Sequence, residues 1–474
     1  MKRGPILPLT SLKYQRPVSQ SSLPSRRSGA IVCFIIATWY LVFSAGFEIH
    51  SFESKLERFR QCSINNYGVT GFDFLHTADP PSKEEYMLRR NNVAKALTVD
   101  GVDAFVAEPG FMFSYLANVS QPKWEPWEPE ERPFLMVIRP QVLLDGSVVA
   151  NTSFLVPHFE EMRARLLHMP FEEEIHTITY EEHDNYYSTL YISEIWGDIL
   201  SPKVMVDEEI RDFIQRGLGS NGFTVSGLSG EVEAVRQVKT DLEIGIIRAV
   251  NTGTVEAIRA MRLCLYPNVT ENEVASVLDD TMRAGGLDPF FDLVEFGKSA
   301  ALPHGGYDGT RKLEPDMFIL IDVGAHLYGY SSDVSRTFYP PFTAESMATS
   351  NTTEQRDVWQ LVLDAQVAAA RSMVAGSTAA SVDIAAREVI ESAGYGDKFT
   401  HRLGHSIGIK AHESPYLNKG NFGAILRPGM VFTAEPGVYV LDRFGVRHED
   451  VLVVREDGEP ENISGGFART PWEP

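Results

Sequence analysis

The segment MFILIDVGA at 317–325, followed by DVSRTFYP at 333–340, places an acidic residue in each of two apolar runs. The same arrangement returns as MVFTAEPGVYV at 430–440 and VRHEDVLVV at 446–454. Short runs rich in β-branched and aromatic residues are typical of strands, so each pair of segments is a candidate β-hairpin. The sequence therefore predicts four strands that carry one carboxylate each.

Two helical patterns precede each candidate hairpin. The first pair spans 231–265 and a helix from Glu271, which has Thr270 and Glu273 in a capping-box pattern and ends at Gly285. The second pair covers 354–374 and 381–394. This repeated order predicts two structural halves, related by a pseudo-twofold axis. Coincidence is the alternative, because helix pairs followed by strands are common.

The length of 474 residues predicts two or three domains. Residues 82–232 alternate helical and strand-like segments, which predicts a small α/β domain. Residues 236–474 form the candidate catalytic domain, and 48–81 are interpreted as a stem that leads into the first domain. Residues 1–28, rich in Ser, Pro and basic residues, are predicted to be a disordered tail.

Composition excludes some functions. Hydrophobic residues make up 43% and charged residues 23%, as in ordinary globular proteins. The net charge of −21 argues against nucleic-acid binding, which needs a basic surface to neutralise phosphates. Cys33 lies in an apolar run, so Cys62 and Cys264 could form at most one disulfide, and the chain has no CxxC metal site.

The apolar run at 29–47 is uncharged and follows a tail in which every charged residue is basic. Its length allows a helix to cross most of a hydrocarbon core of roughly 30 Å. We therefore predict a single-pass membrane anchor with the C-terminal bulk in the lumen or outside the cell. A cleaved signal peptide, cut after the small residues at 44–46, is the main alternative. A helix buried in the protein core is a second alternative for this run.

Glycosylation sequons bear on the same topology. Five exceed the roughly two expected by chance and all follow the apolar run; their asparagines are Asn118, Asn151, Asn268, Asn351 and Asn462. They favour passage through the secretory pathway, whereas accidental sequons in a cytosolic enzyme are the alternative.

The four strand acids indicate a metal site when they are taken together. An unpaired buried carboxylate is costly, and four close together would repel one another. Two divalent cations offset four such charges. The imidazole candidate is His405, and an oxygen-rich set with one nitrogen favours Mn²⁺, Co²⁺ or Zn²⁺ over a thiolate zinc site. Taken singly, each acid has an ordinary interpretation as a turn, cap, strand-end or surface residue.

Residues from about 236 to 455 resemble the creatinase/aminopeptidase P/prolidase family, and 82–232 resemble its N-terminal domain more weakly. The resemblance implies an α/β (α+β) fold, with a pita-bread catalytic domain after a smaller creatinase-like domain. The matching motifs are LPHGG at 302–306, IDVGA with DVSRTF, HRLGHSIGIKAHESPY at 401–416, TAEPGVYV at 433–440 and VRHEDVLVV at 446–454.

The resemblance also implies a site with two divalent metal ions, with Mn²⁺ expected and Co²⁺ or Zn²⁺ as alternatives. Asp322 and His405 would bind one metal each, and Glu435 would complete the set and carry protons. Asp333 and Glu449 would bridge or chelate the ions. Four further residues would act on the substrate: His304 and His412 as catalytic residues that stabilise the tetrahedral intermediate, His401 and Arg447 as substrate-binding residues.

The function implied is hydrolysis of the bond between an N-terminal residue and a following proline, in peptides or dipeptides. A homodimer is compatible with it. A membrane-tethered binding protein without catalysis is the alternative from another class, and a methionine aminopeptidase is a third. The chain departs from the family pattern at Ser406, where glycine is frequent, and at Lys410-Ala411, which replaces a more apolar pair and brings a positive charge toward the pocket.

Overall fold

The computed structural model describes residues 54–70, 72–343 and 350–474. The helices are α1 (Lys55–Thr70), α2 (Lys83–Asp100), α3 (Phe111–Ala117), α4 (Gln121–Trp124), α5 (Glu161–Leu166), α6 (Tyr186–Tyr191), α7 (Asp212–Ser220), α8 (Gly230–Gln237), α9 (Asp241–Arg262), α10 (Glu271–Ala284), α11 (Ser350–Ser372) and α12 (Ala379–Ser392). The strands of the N-terminal part are β1 (Ala104–Ala107), β2 (Leu135–Val142), β3 (Val148–Pro157), β4 (His176–Tyr180), β5 (Lys203–Val206) and β6 (Thr224–Gly227).

The C-terminal part contains the remaining strands. They are β7 (Asp288–Phe296), β8 (Ile319–Leu327), β9 (Tyr330–Ser331), β10 (Val334–Phe338), β11 (Gly404–Ser406), β12 (Glu413–Leu417), β13 (Val431–Ala434), β14 (Gly437–Val440), β15 (Phe444–Arg447), β16 (Asp450–Val453) and β17 (Glu461–Asn462).

The N-terminal part is a mixed six-stranded sheet in the order β4-β3-β2-β1-β5-β6. Helix α2 packs on it and has the boundaries that its sequence signals predict. The Ser82 side chain accepts a hydrogen bond from the N–H of Glu85, and Gly101 ends the helix in the left-handed conformation with φ 67°. Helix α8 packs against α2 and leads into the C-terminal part. This part corresponds to the candidate catalytic domain at 236–474 and is called the catalytic part.

The catalytic part contains two main sheets. The first has the order β10-β8-β7, with β9 paired to β8, and packs against α9 and α10. The second has the order β12-β11-β13-β16-β17, with α11 contacting β13 and α12 contacting β12. Both predicted helix pairs are present, but the first segment, 231–265, is divided at 238–240 into α8 and α9. Helix α10 has the predicted capping box. The pseudo-twofold relation of the halves stays a prediction.

One predicted hairpin is continuous and the other is broken. β8 and β10 pair antiparallel, with Asp322 opposite Ser335. In the second, β13 pairs with β16 and β14 pairs with β15, in two different sheets. The break falls at Pro436, which has no N–H for a ladder. Glu435 and Glu449 therefore lie at the junction between the two pairs of strands.

The segment before the N-terminal domain differs from the stem that the sequence suggests. From Lys55 onward it forms α1, which packs against α9 and α10 of the catalytic part. The one disulfide that the sequence allows is formed between Cys62 and Cys264. The Tyr67 hydroxyl donates a hydrogen bond to the carbonyl of Gly253 at 2.9 Å. This stretch is therefore built into the catalytic part.

No helix within the described residues is long and apolar enough to cross a membrane. The tail at 1–28 and the anchor predicted at 29–47 lie outside the described residues.

Candidate metal centre

The five predicted ligands come together where the two catalytic sheets meet. Ligand atoms of Asp322, Asp333 and Glu449 lie within 4.8 Å of one another, and so do those of His405, Glu435 and Glu449. The His405 Nε2 atom is 3.5 Å from a carboxylate oxygen of Asp333 and 3.5 Å from one of Glu435. These overlapping groups share Glu449, as a site for two ions requires.

Strand register explains how the first sheet supplies its part. Asp322 lies opposite Leu293 on β7 and opposite Ser335 on β10. Paired residues of antiparallel strands project from the same face, so all three side chains line one surface. That surface faces the second sheet, since the Ser335 hydroxyl donates a hydrogen bond to Glu449 Oε2 at 2.9 Å.

Hydrogen bonds of the backbone hold the ligands of the second sheet within that sheet and against the first. The N–H of Glu449 donates to the carbonyl of Ser335 at 3.0 Å, and the N–H of Glu435 donates to that of Leu403 at 2.8 Å. His405 lies on β11, where its own N–H donates to Thr433 Oγ1 at 3.2 Å. The ligands are thus held by main-chain geometry as well as by side-chain packing.

The electrostatics of the acids agree with cation binding. Burial raises the pKa of Asp333 and Glu449 well above the usual range, and neighbouring carboxylates raise both further. Burial raises the pKa of Glu435 to about 8, a shift that Arg447 opposes and Asp322 strengthens. The raised pKa values reflect the cost of ionising these acids without a cation, and a divalent ion would favour the ionised form.

The imidazole has the protonation state that a ligand needs. Burial, together with the charge of His412, lowers the pKa of His405 to about 3, so the ring is neutral at physiological pH. In addition, Asp322 Oδ1 is buried and has no hydrogen-bond partner within the described part of the chain. A neutral imidazole, an orphaned carboxylate oxygen and clustered acids are the donor set that two divalent cations require.

Arg447 is fully engaged inside the site. Its Nη2 donates to Asp322 Oδ2 at 2.7 Å, its Nε to Ser335 Oγ at 2.8 Å, and its Nη1 to the Tyr439 hydroxyl at 2.8 Å and to the carbonyl of Pro303 at 3.0 Å. The side chain is 2% exposed. The resemblance implies a substrate contact for this residue; the structure shows it orienting Asp322 and the loop that carries His304.

His401 is linked to the same network through Tyr439. Its Nδ1 donates to the carbonyl of Arg402 at 2.7 Å, which leaves Nε2 to accept from the Tyr439 hydroxyl at 2.8 Å. Burial lowers the pKa of His401 to about 4. His401 and Arg447 therefore contact one hydroxyl, although the two residues are 46 positions apart in the sequence.

His412 and His304 border the site. The His412 and His405 rings are perpendicular, with centroids 4.3 Å apart, and a nitrogen of His412 lies within 4.8 Å of ligand atoms of Asp333 and His405. Burial lowers the pKa of His412, and the charges of Arg402 and His304 act in the same direction. His304 is exposed on the 302–306 loop. Both rings are thus placed to reach a bound substrate.

Sequence reasoning missed several residues of the site. Ser335 has no sequence signal beyond its place two residues after Asp333, but Tyr439 follows Glu435 at the even spacing that puts alternate strand residues on one face. Asn251 Oδ1 accepts a hydrogen bond from the N–H of Asp333 at 3.1 Å. Glu295 shares the face of Asp322 and is buried with both oxygens unpartnered among the described residues.

The two departures from the family pattern have local explanations. Ser406 is buried on β11 opposite Phe432, where a small side chain is accommodated. Lys410 forms ion pairs with Glu208 at 3.2 Å and Glu209 at 2.8 Å, both in the N-terminal part. Its positive charge is therefore neutralised by these acids rather than left free beside the pocket.

Comparisons with known proteins agree with this geometry. The sequence profile described as metallopeptidase family M24 matches residues 245–456. An uncharacterized peptidase of Schizosaccharomyces pombe is 38% identical over 425 residues, which cover 88% of this chain and 90% of that protein. The Xaa-Pro dipeptidase of Pyrococcus furiosus is 30% identical over 319 residues, covering 67% of this chain and 85% of that protein.

Solved structures show the same architecture. The dipeptidase PepE from Mycobacterium ulcerans superimposes with a TM-score of 0.68 at 26% identity, covering 82% of this chain and 98% of that one. The X-Pro aminopeptidase from Thermotoga maritima superimposes with a TM-score of 0.63 at 24% identity, covering 81% and 99%, and at that identity it supports the fold alone. The pita-bread α/β fold is thereby confirmed. The chain belongs to metallopeptidase family M24, is similar to prolidases and Xaa-Pro dipeptidases, and is a metallopeptidase.

Proposed function

We propose that this metallopeptidase is a dinuclear exopeptidase that hydrolyses the bond between an N-terminal residue and a following proline. The convergence of Asp322, Asp333, His405, Glu435 and Glu449 at one junction carries the proposal. The preference for proline is supported by the name of the Pyrococcus furiosus relative. The alternative of an inactive tethered binding protein is not supported, because the complete ligand set converges.

The residues present fit the chemistry of peptide hydrolysis. Bound divalent ions would supply Lewis-acid polarisation of the scissile carbonyl and would lower the pKa of water. Glu435, which a bound cation would keep ionised, would take a proton from the attacking water and pass it to the departing amine. His412 and His304 would donate hydrogen bonds to the developing oxyanion. Arg447 would keep Asp322 in its ligating orientation.

Mn²⁺ is the ion that we propose, with Co²⁺ and Zn²⁺ as alternatives. Four carboxylates and one imidazole form a hard, oxygen-rich set, which suits Mn²⁺ better than a thiolate site would. Reconstitution of metal-free protein with each ion, followed by elemental analysis, should give two ions per chain. A stoichiometry below one ion per chain with all three metals would contradict the dinuclear site.

The activity is tested with metal-loaded protein and matched substrates. The protein should release the first residue from Xaa-Pro-Yaa peptides or from Xaa-Pro dipeptides, and a comparison of the two decides between aminopeptidase and dipeptidase. Xaa-Ala peptides serve as the control for proline preference. The proposal would be contradicted if folded protein with bound metal turned over none of the Xaa-Pro substrates.

A matched pair of variants connects the activity to the site. Asp322→Ala removes a proposed ligand and leaves buried Arg447 without its carboxylate, so activity should be abolished. Asp212→Ala removes an exposed acid from α7 in the N-terminal part and should leave activity unchanged. Equal activity of the two variants would contradict the assignment of the site.

We also propose that the catalytic part faces the secretory lumen or the cell exterior, with residues 29–47 as an anchor or a cleaved signal. Two observations support this. Disulfides such as Cys62–Cys264 form in oxidising compartments. The sequon asparagines Asn118, Asn151 and Asn268 are exposed.

Glycosidase treatment tests the location. N-glycosidase should shift the electrophoretic mobility of the expressed full chain, and replacing the three exposed asparagines by Gln should reduce that shift. Asn462→Gln should have little effect on it, because the Asn462 amide nitrogen is buried in the folded protein. An unshifted band for the wild type would argue against lumenal exposure.

A further inference from the structure

The loop that carries His412 has one side chain facing the site and the next facing away from it. His412 is exposed beside His405, whereas the Glu413 side chain is only 1% exposed. Glu413 begins β12 and is joined through one peptide unit to His412, so the exposed side chain at the site and the buried side chain share a peptide group. Whatever holds Glu413 therefore also fixes the direction of His412.

Three groups hold the Glu413 carboxylate. Lys239 Nζ lies 2.7 Å from Oε2, and both side chains are 1% exposed. Arg236 Nε lies 3.4 Å from Oε1, and the N–H of Lys410 donates to Oε1 at 3.1 Å. Lys239 lies in the linker between α8 and α9, so the loop is anchored at the junction of the two parts of the protein.

Packing around this ion pair is tight. A Cβ atom on Gly408 would lie 2.9 Å from Lys239 Cε and 3.0 Å from Glu413 Oε2. A larger residue at position 408 would therefore displace the ends of the Lys239 and Glu413 side chains. The N–H of Ser331 donates to the carbonyl of Gly408 at 2.8 Å on the side of the first sheet. The loop thus has little freedom to shift while the pair is intact.

The network continues into the N-terminal part and is balanced in charge. Arg236 also contacts Glu208 at 3.0 Å, and Lys410 contacts Glu208 and Glu209. Three carboxylates thus face three cations, from the N-terminal part, the linker and the His412 loop. Buried ion pairs often stabilise a fold no more than apolar packing does, but they define one geometry. Conformational specificity is the property that a catalytic side chain needs.

We propose that Glu413 and Lys239 are positioning residues for His412, through which the junction with the N-terminal part sets the orientation of this histidine during hydrolysis. The inference rests on the proposed peptidase function and adds to it a role for residues outside the metal centre. Neither residue needs to contact the substrate, because the effect is transmitted through one peptide unit.

The first experiment compares two ion-pair variants in the metal-loaded full chain. Glu413→Gln should lower kcat on an Xaa-Pro substrate by roughly 10- to 100-fold, as loss of a supporting contact does, with a smaller change in KM and unchanged bound metal. Glu108→Gln breaks the ion pair with Arg211 in the N-terminal part, at 2.8 Å, and should leave kcat unchanged. Equal kcat for Glu413→Gln and Glu108→Gln would overturn the inference.

A second variant addresses misfolding, since Glu413→Gln leaves Lys239 buried without its partner. The double substitution Lys239→Met with Glu413→Leu replaces the pair by apolar side chains of similar size, which often preserves stability. Its thermal unfolding temperature should stay close to that of the wild type while kcat falls. A folded double variant with wild-type kcat would contradict the positioning role.

The decisive measurement is a double-mutant cycle with His412→Ala. If Glu413 acts through His412, adding Glu413→Gln to His412→Ala should leave kcat unchanged within about twofold. If the double variant instead loses kcat by the product of the two single effects, Glu413 acts independently of His412 and the inference is overturned. An inactive wild type would instead contradict the proposed function, so the two failures are distinguishable.

Discussion

At the residue scale, Ser335 joins the two halves of the site. Its hydroxyl donates to Glu449 Oε2 at 2.9 Å and accepts from Arg447 Nε at 2.8 Å, while its carbonyl accepts from the N–H of Glu449. The Ser335 side chain thereby orients the proposed ligand Glu449. It also orients Arg447, which holds the proposed ligand Asp322. Supporting contacts of this kind are worth as much as an order of magnitude or two in metal affinity or rate.

Ser335→Ala should therefore lower activity or metal affinity by roughly 10- to 100-fold without unfolding the protein. Metal titration and kcat/KM on an Xaa-Pro substrate are the measurements. Ser63→Ala is the matched control, because Ser63 is equally buried and bonds Thr281 at 2.7 Å away from the site. Identical effects of the two substitutions would contradict the role of Ser335.

Glu295 is a second residue with a measurable consequence. Burial raises its pKa to about 8 from 4.5, with Arg447 opposing the shift. The folded protein therefore retains a proton that the unfolded chain has lost. Stability from this group is fully present below about pH 4.5 and is lost as the pH rises through 8.

Glu295→Gln, which stays neutral, should therefore flatten the decline in unfolding temperature of the metal-free protein between about pH 4.5 and pH 8. Thermal unfolding across that range is the measurement. Glu173→Gln, at an exposed acid of the N-terminal part, is the control and should keep the wild-type slope. A wild-type slope in Glu295→Gln would show that the acid is solvated in solution.

At the element scale, the close approach of β11 and β13 places His405. A Cβ atom on Gly404 would lie 2.2 Å from the carbonyl oxygen of Thr433, which is backbone and has no freedom to turn away. The two strands therefore meet at a distance that only glycine permits at this position. The neighbouring His405 takes its position from the same strand pairing.

Gly404→Ala should separate β11 from β13, destabilise the protein by roughly 1–3 kcal/mol and reduce bound metal. Chemical denaturation and elemental analysis measure the two effects. Gly423→Ala is the matched control, because a Cβ atom there has no neighbour within 4 Å. Retention of full metal occupancy and stability by Gly404→Ala would contradict the packing argument.

The strands at 430–454 show that a local hydrophobic pattern predicts strands but not their pairing. The second hairpin predicted from 430–454 is two shorter pairs in different sheets, because Pro436 interrupts the ladder. The apolar runs form strands, but of the four acids only Asp322 lies within one, whereas Asp333 and Glu449 directly precede β10 and β16 and Glu435 directly follows β13. The pairing partner of each strand depends on the neighbouring sheet, which the local sequence does not specify.

At the scale of the whole molecule, the Cys62–Cys264 disulfide ties α1 to the end of the catalytic helix α9 across a sequence separation of 202. Closing so long a loop restricts the unfolded chain strongly. The disulfide should therefore contribute to stability rather than to chemistry, because it lies on the outer helices of the catalytic part.

The double substitution Cys62→Ser with Cys264→Ser should lower the free energy of unfolding by about 2–5 kcal/mol while kcat stays unchanged below the melting temperature. Thermal and denaturant unfolding of oxidised protein, with and without a reducing agent, supplies the comparison. An unfolding temperature that neither the substitutions nor reduction changes would contradict a structural role for this bond.

The sequence by itself determined the order of the helix pairs, the capping box of α10 and the five proposed ligands, Asp322, Asp333, His405, Glu435 and Glu449. Those signals are local: a carboxylate in an apolar strand carries its desolvation cost wherever the strand packs. Only the tertiary structure decided that Ser335 and Arg447, 112 residues apart, share a hydrogen bond, and that Glu413 pairs with Lys239, 174 residues away. Such partners are chosen by the close approach of distant strands, so their identity is a property of the packed molecule.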